Sequence, residues 1–430
     1  MFIKQLFFIS TFFLSCFAQA DVDIESWVTN DGSKVYFVES DHLPILDVSV
    51  SFKAGSVRDS EINNGIASFT NHLMLLGSGG ENEVDIANNF TNIGAQLDSS
   101  FDQDSSSFSL RSLIEKKDTA IQLFNKVLHK PDFNEYVIKR EKKRYIASIR
   151  QSDTQPASIG SKSFMKTIFG KHPYGLPQSG TEKTINKITK SQLKTFYNKF
   201  YLSNQASIVI VGDIDKKTAK VIASNISSGL PKNLNTVDYP EVEKTQGKNI
   251  NIPHPSSQAH LFYGAPAIKR GDPDFFPLYV GNYILGGGGF VSRLTSEVRE
   301  KNGLAYSVYS YFMPYLEVGP FQVGLQTKKD QIGKAMKIVN TTLGDFIENG
   351  PTEKELIAAK SNMIGGFPLR LDSNQKILQY LTMMAFYDYP LDYLKTFPDS
   401  VNSVTTDQIK KAFQKKVKIK DFSTVIVGVN

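Results

Sequence analysis

Gly65-Ile-Ala-Ser-Phe-Thr-Asn-His-Leu-Met-Leu-Leu-Gly77 reads as one helix bounded by glycines. Within it Ser68, Asn71 and His72 stand at i, i+3 and i+4, the spacing that places side chains on one helical face. A zinc hydrolase that binds its metal on a helix puts His, Glu and His there, two as ligands and the acid as general base. Only the last of these is present. A serine hydroxyl is a poor zinc ligand, and the Asn71 amide cannot take a proton from water. The stretch predicts a metal-binding face that has been partly erased, and it decides between an enzyme and the partner of one.

At 430 residues the chain exceeds one ordinary core and predicts two or more domains. Its composition, 40% hydrophobic and 21% charged, is globular throughout. The formal charge of +6 is spread along the chain, which predicts a solvated basic surface and argues against nucleic-acid binding. Residues 1–20 read as a signal peptide: Lys4, an apolar run from Leu6 to Phe17, then the small-x-small site Ala18-Gln19-Ala20. That run is shorter than the roughly 20 residues that span a bilayer. The expectation is an exported mature chain, periplasmic in a Gram-negative bacterium, without stable membrane insertion. Cys16, the single cysteine, leaves with the leader unless it is lipidated, for which Phe13 and Ser15 are poor flanks. Disulfides, cysteine metal sites and cysteine nucleophiles are then excluded from the mature chain.

Outward from the opening helix, the chain repeats itself. Ile188-Thr-Lys-Ser-Gln-Leu-Lys194 and Val404-Thr-Thr-Asp-Gln-Ile-Lys410 each offer a Thr-x-x-Gln capping box, Thr189 with Gln192 and Thr405 with Gln408. Each predicted helix leads into a β-branched strand, Ser207 to Gly212 and Ser423 to Gly428, and the copies align without a gap at an offset of 216. This predicts two homologous halves of about 200 residues: an N-terminal domain over 21–230, a polar linker over 231–247 with Pro231, Asn233, Asn235, Pro240 and Gly247, and a C-terminal domain over 248–430. Asp47 to Lys53 alternates like a half-buried strand, as does Phe108 to Leu113. Strand-like segments recur at Ala259 to Tyr263 and Phe321 to Thr327. Helical patterns cover 118–128, 134–152, 329–349 and 352–365. The fold class is α+β, each half a largely antiparallel sheet with helices packed on one face.

In order and spacing these segments resemble the pitrilysin/insulinase family, which includes the mitochondrial processing peptidases. Besides the opening helix, the resemblance rests on His172-Pro-Tyr-Gly175, Gly180-Thr-Glu182, Phe196-Tyr197, Val211-Gly-Asp213, Leu285-Gly-Gly-Gly-Gly-Phe290, Ser292-Arg-Leu294 and, most specifically, Glu297-Val-Arg-Glu-Lys-Asn-Gly-Leu-Ala-Tyr-Ser307. The family's catalytic half carries His-x-x-Glu-His and a distant glutamate as third zinc ligand. The resemblance places Ser148 at that glutamate's position, so the site reads Ser68, Asn71, His72, Ser148, and His72 is expected to bond locally. One imidazole does not hold zinc at useful affinity, and the base is missing. The second half keeps the family's substrate-holding pair, Arg299 and Tyr306, on a helix from near Ser292 and the strand after Asn302-Gly303. Both side chains can donate hydrogen bonds to a peptide carbonyl. Gly286, Gly287, Gly288 and Gly289 leave backbone open to a peptide or form a flexible helix-ending loop; no Gly-Lys-Ser/Thr follows, so they do not read as a phosphate loop.

The resemblance thus implies a non-catalytic subunit of an exported heteromeric zinc metallopeptidase. It would have no cofactor of its own and would bind peptide beside a homologous zinc-bearing partner. The alternative is an inactive scaffold or peptide-binding protein without a peptidase role. His42, His129, His172, His254 and His260 are scattered without ligand spacing, and Ser68 lacks a nucleophile elbow.

Overall fold

The computed structural model describes residues 22–232 and 238–429. The expected leader with Cys16, and Asn233 and Asn235 of the linker, lie outside them. In the first half the strands are β1 (Glu25–Val28), β2 (Lys34–Glu39), β3 (Ile45–Phe52), the short hairpin β4 (Gly77–Ser78) and β5 (Glu81–Asn82), β6 (Gln96–Phe101), β7 (Ser106–Leu113) and β8 (Ser207–Gly212). In the second they are β9 (Asn249–Ile252), β10 (Gln258–Ile268), β11 (Ala305–Phe312), β12 (Gly319–Lys328) and β13 (Ser423–Val427). Read from one edge, the main sheets run β6-β7-β3-β8-β2-β1 and β11-β12-β10-β13-β9. Counted from β6 and from β11, the first five strands of the two orders correspond, and β1 is an addition at the far edge of the first sheet. Pairing is antiparallel throughout both main sheets except β2 with β8 and β9 with β13, which occupy equivalent places.

Local chemistry starts these elements at the same points in each half. The Thr189 and Thr405 hydroxyls accept from the backbone N–H of Gln192 (3.3 Å) and Gln408 (3.2 Å), and each Gln side chain accepts from the threonine backbone N–H. The capped helices, Lys190–Phe200 and Thr406–Lys416, are both 11 residues long. The 329–349 pattern begins as a 3-10 turn, Lys329–Gln331, before the α-helix Ile332–Asn349. No helix among the described residues is long and apolar enough to cross a membrane.

One expectation fails informatively. β3 does not alternate between core and solvent: Leu46 through Phe52 are all buried. Its second face, with that of β8, is covered by the Asn374–Phe386 helix of the other half. The Ser207 hydroxyl donates to the Ala385 carbonyl (3.2 Å) and Ser40 donates to the Asn374 side chain (2.8 Å). The exchange is reciprocal. The Pro156–Phe169 helix of the first half lies on β10 and β13 of the second, where Phe164 and Ile168 pack with Phe262, Val425 and Val427. Gly160 permits this close approach, since a Cβ there would stand 2.2 Å from the Phe262 ring.

A buried carboxylate ties the halves at the same interface. Asp104, in the turn between β6 and β7, is fully buried. It accepts from the Tyr174 hydroxyl (2.5 Å) in its own half and from the Leu316 amide (2.8 Å) and Tyr387 hydroxyl (3.1 Å) across the interface. Burial pushes its pKa up to about 6 despite these bonds.

Two outcomes follow from this packing. Gly160→Val should cost about 1–3 kcal/mol by overpacking, whereas Gly344→Ala, in open space on the Ile332–Asn349 helix, should gain roughly 0.5–1 kcal/mol; chemical denaturation reads both. A carboxyl with a raised folded pKa stabilises most below its unfolded value, about pH 4, and loses that contribution as pH rises through the folded value. The Tm advantage of wild type over Asp104→Asn should therefore shrink between pH 4 and pH 7. A constant difference would contradict the assignment.

Candidate functional site

The opening helix spans Ile66–Met74 and stops three residues short of Gly77, which stands at φ 148° and opens β4 of the β4–β5 hairpin. Gly65 enters it at φ 91°, with Gly180 too close to admit a Cβ. The buried Asp59 carboxylate accepts from the N–H groups of Gly65 (2.7 Å) and Ala67 (3.0 Å) and so caps the helix from outside. Burial raises the Asp59 pKa to about 7, against the pull of those bonds.

The three face residues diverge. Ser68 donates to the carbonyls of Gln178 (2.8 Å) and Gly65 (3.2 Å). Asn71 is buried and turned to the sheet, where its amide donates to the Ser106 hydroxyl (2.8 Å) and the Ser100 carbonyl of edge strand β6 (3.3 Å). His72 is not bonded locally: its Nε2 meets Glu141 Oε2 at 3.0 Å, 69 residues away on the Glu135–Ser152 helix. Glu141 is almost fully buried, and its other oxygen accepts from Arg140 (2.6 Å) and Arg144 (3.2 Å). Arg140 also forks onto Glu83. Burial acts to raise the Glu141 pKa, but the bonds from His72 and the two arginines outweigh it and hold the carboxyl below its usual range. The Tyr145 ring packs on Phe69 (5.2 Å) and His72 (5.7 Å). Ser148 is exposed one turn further on. Sequence reasoning missed Glu141 and Tyr145. The signal was their i, i+4, i+7 register with Ser148.

In the second half, the Phe275–Asn282 helix continues as a π-helical turn, Tyr283–Gly287, followed by a 3-10 turn, Gly289–Val291. The glycines are therefore not a simple loop. Gly286 is buried, and a Cβ there would stand 2.6 Å from Ser310 N; Gly287 and Gly289 are exposed. Asn282 repeats the relation of Asn71, its amide donating to the Ser310 carbonyl on edge strand β11 (3.0 Å). Arg299 sits in a π-helical turn, Thr295–Glu300, which continues a helical run from Arg293, so it lies at the end of a helix begun beside Ser292, as expected. Gly303, at φ 60°, closes it, and the N–H of Leu304 reaches the Val298 carbonyl (3.0 Å). A bulge between Ala305 and Ser307 throws Tyr306 out of the β11–β12 ladder, leaving it 78% exposed. The Arg299 guanidinium lies 4.8 Å from the Phe290 ring centre and 5.4 Å from that of Tyr306, so the structure brings the pair together. Among the described residues Arg299 has no carboxylate partner.

Residues 35–182 match the insulinase (peptidase family M16) model and 187–363 the peptidase M16 inactive domain. A solved peptidase M16 inactive domain from Pseudomonas fluorescens is 36% identical, covers 95% of this chain and 99% of its own, and superposes with a TM-score of 0.92. The chain belongs to the insulinase (M16) family. Two other relatives are a Bacillus subtilis protein named uncharacterized zinc protease YmxG, 26% identical over 81% of this chain and 85% of its own, and a Helicobacter pylori protein named non-peptidase homolog YmxG, 25% identical over 92% and 91%.

The M16 family's zinc does not fit the donors that this chain presents at His72 and Glu141. His72 and Glu141 meet directly, whereas zinc would sit between two such atoms at about 2.0–2.2 Å from each. A cation there would also face Arg140 and Arg144. Among the described residues no group of three or more His, Cys, Asp or Glu side chains could hold a metal. His129, His172 and His254 each engage a separate backbone carbonyl.

Glu141→Gln should destabilise by about 3 kcal/mol at neutral pH, since it breaks a buried charge network. With a depressed folded pKa, that contribution is present above the unfolded value and lost as pH falls through the folded one. The wild-type advantage, read from Tm, should vanish on acidification, the reverse of the trend at Asp104.

Proposed function

We propose that this chain is the non-catalytic subunit of an exported heteromeric zinc metallopeptidase, binding peptide and closing a chamber for a homologous partner that carries His-x-x-Glu-His. One contrast carries the reading. The first half has committed His72 to Glu141 and Asn71 to Ser106, while the second half leaves a half-buried Arg299 in contact with an exposed Tyr306 and, among the described residues, without a carboxylate partner. The Asn71 amide cannot act as a base, and the His72 Nε2 is taken up by Glu141. A guanidinium and a phenol held side by side remain able to donate to a substrate carbonyl. The proposed assembly supplies zinc and the general base from the partner, and this chain supplies orientation.

The scaffold alternative shares the first half of this argument but leaves Arg299 without a task. The experiment that separates them combines the purified chain with the zinc-bearing M16 homologue from the same genome. The chain alone should cleave no peptide, and the pair should cleave faster than the homologue alone. Arg299→Ala should lower kcat/KM of the pair at least tenfold, about 1.4 kcal/mol, without changing its Tm. Turnover by the isolated chain, or unchanged kinetics for Arg299→Ala in an active pair, would overturn the proposal.

A further inference from the structure

In the folded chain the formal charge of +6 is not spread evenly. The Glu135–Ser152, Glu182–Lys187 and Lys190–Phe200 helices together hold eleven Lys and Arg against three Glu, a surplus of eight that exceeds the surplus of the whole chain. The remainder of the protein is therefore slightly acidic. Lys142 donates to the Asn186 carbonyl (2.8 Å) and Arg150 to Glu182 (2.9 Å), so the first two of these helices lie side by side and antiparallel. The third follows the second after Ile188 and Thr189.

Arginine and lysine are used differently on this face. Each arginine of the Glu135–Ser152 helix is turned to a carboxylate: Arg140 to Glu83 and Glu141, Arg144 to Glu141, and Arg150 to Glu182. Lys139, Lys143, Lys183, Lys187 and Lys194 are exposed, and among the described residues none of them has a hydrogen-bond or carboxylate partner. The internal repeat supplies a comparison. In the Thr406–Lys416 helix, the counterpart of Lys190–Phe200, Lys411 pairs with Asp407, Lys415 with Asp274 and Lys416 with Asp272. The second half neutralises its lysines internally, and the first half leaves them to solvent.

The exposed positions between the lysines are small or polar: Ala147, Ser148, Asn186, Ser191 and Thr195. A stable protein interface has a desolvated apolar or aromatic centre, and a nucleic-acid site uses arginine forks and stacked aromatics. This face has neither. It presents flexible, hydrated point charges, which an array of mobile anionic headgroups satisfies without a fitted geometry. Tyr136, 75% exposed, shares the side of its helix that carries Lys139 and Lys143, and an amphipathic ring suits the headgroup level. No helix among the described residues is long and apolar enough to cross a membrane, so the contact is peripheral.

We propose that this lysine face docks the protein onto an anionic lipid bilayer. It belongs to the first half, and the proposal stands apart from how Arg299 and Tyr306 act.

The test is co-sedimentation of the full mature chain with vesicles of phosphatidylcholine alone, or with about 30 mol% phosphatidylglycerol to give a negative surface. Wild type should bind the anionic vesicles at least tenfold better than the neutral ones. That binding should be lost at about 1 M salt, where the screening length falls from about 10 Å at 0.1 M to about 3 Å. Lys139→Glu/Lys143→Glu/Lys187→Glu should lower it at least tenfold. Lys139→Gln/Lys143→Gln/Lys187→Gln, which adds no repulsion and guards against misfolding, should lower it at least threefold. Lys334→Glu/Lys337→Glu/Lys354→Glu changes the net charge as much as the first variant at exposed lysines of the second half, and should lower it less than threefold. Equal loss in the two Glu variants, or equal binding to neutral vesicles, would overturn the docking face. Binding of poly-glutamate or duplex DNA through the same lysines, with none to anionic vesicles, would overturn the lipid assignment.

Discussion

Each half of this protein finishes the other's sheet. A β-sheet with apolar residues on both faces must be covered twice, and the helices of one half cover only one face. The Asn374–Phe386 helix closes β3 and β8 of the first half, and the Pro156–Phe169 helix closes β10 and β13 of the second. The exchange fixes the orientation of the halves, because neither helix can leave without exposing core: Leu381 and Met384 in one direction, Phe164 and Ile168 in the other. Asp104 reinforces it with hydrogen bonds that require Tyr174, Leu316 and Tyr387 to converge.

That fixed frame gives the two sites their contrasting fates. A helix crosses the sheet edge in each half, and an asparagine pins it to an edge-strand serine carbonyl, Asn71 to Ser100 and Asn282 to Ser310. In the first half this bond stands where a general base would act, and Glu141 with its arginines takes up the remaining imidazole. His72 and Asn71 are thus both bonded within the protein. In the second half the same crossing unwinds into π-helical and 3-10 turns around glycines. A cavity stays open there, and a bulge turns Tyr306 outward toward Arg299.

Much of this was legible in the residues. Thr189 and Thr405 announce their capping boxes because a cap is local chemistry, and the gapless repeat they begin is matched by the strand order of both sheets. The depleted zinc motif at Ser68 and Asn71 is equally local. The missed features are all long-range. β3 looks half-buried because alternation says nothing about a helix arriving from more than 300 residues away. Glu141 is invisible as the partner of His72 because two helices must pack before the bond exists. The glycines read as a loop because composition does not separate a π-helical turn from disorder; Ser310 lying against Gly286 does.

The first half, with His72 bonded to Glu141 and Asn71 to Ser106, is expected to hold no metal. Metal analysis of the mature chain, purified without chelator and dialysed against micromolar zinc, tests it most directly when run beside Ser68→His/Asn71→Glu/Ser148→Glu. The expected result is less than 0.1 zinc per wild-type chain, a threshold set at roughly a tenth of the one-site stoichiometry of a closed site, with zinc uptake only in the triple variant. One zinc per wild-type chain, lost on His72→Ala, would contradict the account.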